Sequence, residues 1–119
     1  MISKDLLKGS LKSIVLNLLA ENSRMYGYEI TQRVEEISKG EIKLTFGALY
    51  PILHKLESEG TLITESVVIN NRNRIYYKLT PQGKTVAQEK MEELREFAEM
   101  IQTLLKPGLS LSPCLIPSF

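Results

Sequence analysis

The chain has no tryptophan, a single cysteine and a single histidine in 119 residues. One thiol, Cys114, excludes an internal disulfide framework and any multi-cysteine zinc site. One imidazole, His54, together with that lone thiol, gives no nucleophile–base pair. The adjacent carboxylates Glu35-Glu36 and Glu92-Glu93 point to different sides of a helix and do not converge. Neither a catalytic constellation nor a metal site can be assembled, and no cofactor is expected. Long apolar runs are also missing. The most apolar stretch, "LKSIVLNLLA", is too short for a membrane span and carries Lys12. "MISKDLLKGS" lacks the order of a secretory signal, so the chain is expected in the cytoplasm.

An excess of either charge is lacking too: 15 basic against 14 acidic side chains leave +1. The distribution is uneven. Residues 43–80 hold five basic side chains (Lys43, Lys55, Arg72, Arg74, Lys78) against Glu57, Glu59 and Glu65, a local +2. Residues 1–42 balance at zero, and residues 81–119 carry four basic against five acidic side chains.

Periodicity supplies the elements. Leu7, Leu11, Ile14, Val15 and Leu18 share one face of a helix expected over Asp5–Ala20. A second helix is expected over Tyr26–Ser38, burying Ile30, Val34 and Ile37, with Gly40 as its stop. Thr45 is a good N-cap for a third, which buries Leu49, Ile52, Leu53 and Leu56 and ends at Gly60. Pro51 lies inside that helix and costs it a backbone bond. "TLITESVVI" and "RIYYKLT" have strand composition, joined by the polar turn "NNRNR". Thr80 followed by Pro81 starts a last helix over Pro81–Leu105, stopped by Pro107-Gly108. The fold class is therefore mainly α with a small β-hairpin: a winged helix-turn-helix plus a long C-terminal helix. Residues 1–80 form the DNA-binding domain, residues 81–106 the dimerisation helix and residues 107–119 an irregular tail.

In this layout the third helix answers to a major groove. Its buried stripe leaves Gly47, Ala48, Tyr50, His54 and Lys55 on other faces. Lys43 and Thr45 stand at its N-terminus, where free amides favour phosphate and small residues permit close approach. Arg72 and Arg74 at the hairpin tip would reach a backbone or minor groove.

Three blocks, "YGYEI" at 26–30, "GALYPILHKLESEGTL" at 47–62 and "RIYYKLTPQG" at 74–83, resemble the signatures of PadR-type transcriptional regulators. The resemblance covers about residues 5–105 and matches the short subfamily with one C-terminal helix. It implies a winged-helix repressor that binds DNA as a homodimer, its C-terminal helix packing on the partner's first helix. It carries over a phosphate contact to Tyr26 and base approach to Thr45, Gly47 and Tyr50. Phe46 stands where relatives often have proline or another helix-starting residue, and the wing tip lacks the glycines common in the family.

The last helix argues for a dimer on its own residues. Ala87, Met91, Leu94, Ala98, Ile101 and Leu105 are spaced 4, 3, 4, 3, 4, a heptad stripe. A helix of about 25 residues spans roughly 37 Å, more than a domain this size covers. Leu7 and Leu11 are expected across that interface. By the resemblance, a small hydrophobic or aromatic effector would sit near it, lined by Met91, Leu94, Phe97 and Ala98 with Leu7 or Leu11. The rival to a DNA-binding regulator is a winged helix used only as a protein-interaction module, which needs no basic wing. A redox role for Cys114 lacks an activating charged neighbour.

Overall fold

The computed structural model describes residues 2–106; the expected tail and Cys114 lie outside them. The elements run α1 (Lys4–Leu7), α2 (Leu11–Glu21), β1 (Met25–Tyr26), α3 (Gly27–Ile37), α4 (Phe46–Ser58), β2 (Leu62–Ile69), β3 (Arg72–Leu79) and α5 (Pro81–Leu105).

The core is apolar and continuous. Val15, Leu16, Leu18 and Leu19 of α2 meet Ile30 and Val34 of α3, Leu49, Leu53 and Leu56 of α4, and Leu62, Tyr77 and Leu79 of the sheet. Helical spacing is why these side chains share a side, and α2, α3 and α4 each bury one stripe.

The single first helix expected over 5–20 is two helices. Lys8, Gly9 and Ser10 form a turn between them, at the glycine and serine that are poor helix formers. The Ser10 amide closes the turn on the Leu7 carbonyl at 2.8 Å, and the Ile2 amide bonds the Glu41 carbonyl at 3.1 Å. Leu7 and Leu11 consequently line a cleft with the α3–α4 connection and the start of α4.

The sheet has three strands, not two. β1 pairs with the free edge of β3 in the order β1-β3-β2, setting Met25 against Tyr77 and Tyr26 against Tyr76. The chain leaving α2 runs extended beside β3, and Met25 is buried there. Tyr26 thus precedes α3 instead of starting it, and its amide donates to the Glu29 carboxylate at 3.1 Å.

The polar turn is shorter than "NNRNR". Only Asn70 and Asn71 form it, with φ of 51° and 62°, which is the type I′ geometry of a two-residue hairpin. Asparagine adopts that region without glycine's help. Arg72 and Arg74 therefore stand on β3, two residues apart and on one face.

α5 is fastened at its start. The Thr80 hydroxyl accepts from the Gly83 amide at 2.8 Å and donates to the Gly60 carbonyl at 2.8 Å. A side chain at Gly83 would place its Cβ 2.0 Å from the Thr61 carbonyl oxygen, so only glycine lets α5 pass so close to the chain just before β2. Ala87, expected at the dimer seam, is 1% exposed and closed within the protomer's own core. Met91 and Leu94 are half-buried, and every residue from Arg95 through Lys106 is exposed.

Candidate nucleic-acid interface

The side of α4 away from the core carries Thr45, Gly47, Pro51, His54 and Lys55, all exposed and spaced at helical intervals. The Thr45 hydroxyl accepts from the Ala48 amide at 3.2 Å, as an N-cap should. Pro51 has no N–H for the Gly47 carbonyl, yet the helix continues through it. No acidic residue occurs in the first turn of α4, so its N-terminal amides face no competing anion of their own helix.

Two of the expected DNA-binding residues are partly withdrawn from that face. Ala48 and Tyr50 are half-buried and pack against the core. The Tyr50 ring crosses the backbone of Gly27 so closely that a Cβ there would sit 2.5 Å from the Tyr50 hydroxyl. The ring also lies 5.7 Å from Phe46 and 5.9 Å from His54. Tyr50 thus joins α4 to the start of α3, which corrects the expectation that it faces freely away from the apolar stripe. Gly27, quoted within "YGYEI", was legible only as part of that block; nothing in its own identity pointed to a ring fifty positions into the chain.

The N-terminus of α4 is flanked on both sides. On one side is a cleft of about 660 Å³ walled by Tyr26, Gly27, Tyr28, Phe46 and Tyr50 and, from the hairpin, by Ile69, Asn70 and residues 72–75. Within it the Arg74 guanidinium lies over the Tyr26 ring at 4.1 Å, and the Tyr26 ring meets Tyr76 edge-on at 5.5 Å. Arg24 covers Tyr76 at 4.1 Å and pairs with Glu65 at 3.2 Å. The hydrogen bond with the Tyr76 side chain, and the neighbouring phenols and Glu29, hold the Arg74 guanidinium above its ordinary value, so its charge is permanent. Burial pushes the Tyr77 phenol up, and it stays neutral beneath the cleft.

On the other side a second cleft, of about 370 Å³, is lined by Lys4, Asp5, Leu7, Lys8, Lys43, Thr45 and Gly47. Lys4 and Lys8 were not among the expected contacts, since the bend at Gly9 is what brings them here. Among the described residues, Lys43, Lys55, Arg72 and Arg74 form no ion pair, while Lys12, Arg24, Arg33, Lys90 and Arg95 do. Lys43, Arg72 and Arg74 therefore stand around the N-terminus of α4, while Lys55 lies in its last turn.

A third cleft, of about 380 Å³, lies away from this face. Ile14, Leu18, Val34, Ile37, Ile42, Met91, Leu94 and Ala98 line it, with Arg95 at its rim. Phe97 does not reach it and is 58% exposed; Leu7 and Leu11 are also absent from it. Of the residues expected around an effector, Met91, Leu94 and Ala98 meet in this cleft. Among the described residues no helix is long and apolar enough to cross a membrane.

A helix presented beside a twisted hairpin, with a third short strand at its edge, is the winged-helix fold. The model of the PadR-like transcriptional regulator family matches residues 15–89, and the chain belongs to that family, which is not an enzyme family. It is 31% identical over 98 residues to the transcriptional regulator Rv3488 of Mycobacterium tuberculosis, covering 82% of this chain and 88% of that protein. A transcriptional regulator from Clostridium thermocellum superposes with a TM-score of 0.77 at 27% identity, over 87% of this chain and all of that one. A PadR family regulator from Eggerthella lenta superposes with a TM-score of 0.72 at 28% identity, over 86% of this chain and 87% of that one.

Proposed function

We propose that this transcriptional regulator is a repressor that binds a pseudo-palindromic operator as a homodimer. The N-terminus of α4 enters the major groove and the β2–β3 hairpin lies along the adjacent backbone. The observation that supports this best is the carboxylate-poor face of α4, set between two clefts whose free cations suit phosphate. Thr45, Gly47 and His54 approach bases. Lys43, Lys55, Arg72 and Arg74 hold phosphate, and Tyr26 supports Arg74 while presenting its own hydroxyl. Tyr50 acts by fixing the angle between α3 and α4.

The dimer follows from α5. Phe97, Met100, Ile101, Leu104 and Leu105 are exposed along one side of its free half, and a partner copy would cover them. A small hydrophobic effector fits the cleft between α2, α3 and α5, where Met91 and Leu94 give adaptable walls. Filling it would change how α5 leaves the domain, and with it the spacing of the two α4 helices. The compartment for this work is the cytoplasm.

The deciding experiment is binding to a labelled fragment from the chain's own upstream region at two salt concentrations, with an unrelated fragment as control. Tight binding that favours its own fragment and weakens steeply with salt is the expected result. Equal, weak binding to both fragments counts against an operator in that region; absence of salt dependence favours a protein-interaction module instead.

A further inference from the structure

The reading above leaves Phe46 without a task. It is the first residue of α4, and its ring stays 46% exposed although Leu49, Leu53 and Leu56 of the same helix are fully buried. It forms part of the wall of the cleft that holds Tyr28, Arg72 and Arg74. Thr45 and Gly47 on either side are exposed. A Cβ on Gly47 would meet nothing nearer than the Thr45 hydroxyl at 4.0 Å, so the chain does not crowd this corner. Among the described residues, the ring beside Phe46 is that of Tyr50, at 5.7 Å, which steadies one side of it.

A phenyl ring has no donor and no acceptor. It can neither hold a phosphate nor pair with a polar base edge. In the major groove base pairs present donors and acceptors, and one apolar group, the 5-methyl of thymine. We propose that Phe46 is a specificity residue that packs against a thymine methyl where the N-terminus of α4 enters the groove. The proposal rests on the DNA-binding reading and adds to it a base preference that the polar residues of α4 do not supply. Thr45 and Lys43 are then left for polar contacts, and Tyr50 supports the ring from behind.

A duplex selected from a randomised pool by the full-length chain is resynthesised with deoxyuridine in place of every thymine, which removes the methyls and keeps the pairing edges. Wild-type binding is expected to weaken about fourfold per half-site, or about sixteenfold for a symmetric pair, the effect of losing one buried methyl in each. Phe46→Ala should bind the thymine duplex more weakly and lose nothing further with uracil. Phe46→Leu should keep most of the methyl dependence. An equal loss in wild type and Phe46→Ala, or no loss in wild type, overturns the assignment while leaving DNA binding intact. Failure of the chain to select any duplex ends the assignment together with the reading beneath it. Because Phe46 is exposed, circular dichroism of both variants should match wild type.

Discussion

Arg72 and Arg74 stand on the same strand face but do different work. Arg74 spends one face of its guanidinium on Tyr26, whereas Arg72 is exposed at the strand end. Arg72→Ala should weaken binding uniformly across sequences and lower the salt slope by about one unit, read from titrations at several salt concentrations. An unchanged slope would remove the hairpin from the interface. Gly27 makes the opposite kind of contribution, by what it lacks. Gly27→Ala drives a methyl into the Tyr50 hydroxyl, and should cost about 1–3 kcal/mol in urea unfolding. It should also weaken DNA binding, because the α3–α4 angle changes. Gly27→Ala combined with Tyr50→Phe, which removes that hydroxyl, should recover part of the stability. Local chemistry was readable at Thr45 and Thr80, whose capping bonds depend only on neighbours three residues on. Tyr50 was not readable, because its partner is distant in sequence.

Among the elements, α4, α5 and the strands follow from period and caps. The Thr80–Pro81–Gly83 start of α5 has a tertiary reason as well. Gly83→Ala should lower stability by about 3 kcal/mol in urea unfolding, since its Cβ meets a backbone carbonyl that cannot turn aside. A loss below about 1 kcal/mol would mean the contact between Thr61 and α5 yields easily. The break at Gly9 and the third strand escaped the periodic reading for different reasons. A glycine and a serine in an apolar pattern can be crossed by a helix or can end it, and the bond of Ile2 to Glu41 favours the bend. Two residues are too few to show a strand period, and β1 exists only because β3 offers a free edge.

At the scale of the molecule, shape is the informative quantity. The extents are 60 × 31 × 20 Å and the radius of gyration is 17.0 Å, against about 13 Å for a compact domain of this length. The free half of α5 carries apolar side chains into solvent. Phe97→Lys with Leu104→Lys, at positions 58% and 65% exposed, should leave the protomer folded and convert a dimer to a monomer in sedimentation. DNA affinity should fall with it, because one half-site then binds alone. A wild-type chain that sediments as a monomer at micromolar concentration would refute the dimer.

Composition, period and capping residues by themselves determined the helix order, the hairpin, the start of α5 and the concentration of positive charge in residues 43–80. Each depends on neighbours a few positions away. Tertiary structure alone decided that Tyr50 rests on Gly27, that Lys4 and Lys8 join Lys43 beside α4, and that the heptad stripe divides. Ala87 closes the protomer's core while Ile101 and Leu105 stay outside it. A heptad records which side chains share a face; which of them the domain is long enough to cover depends on where the other helices stop.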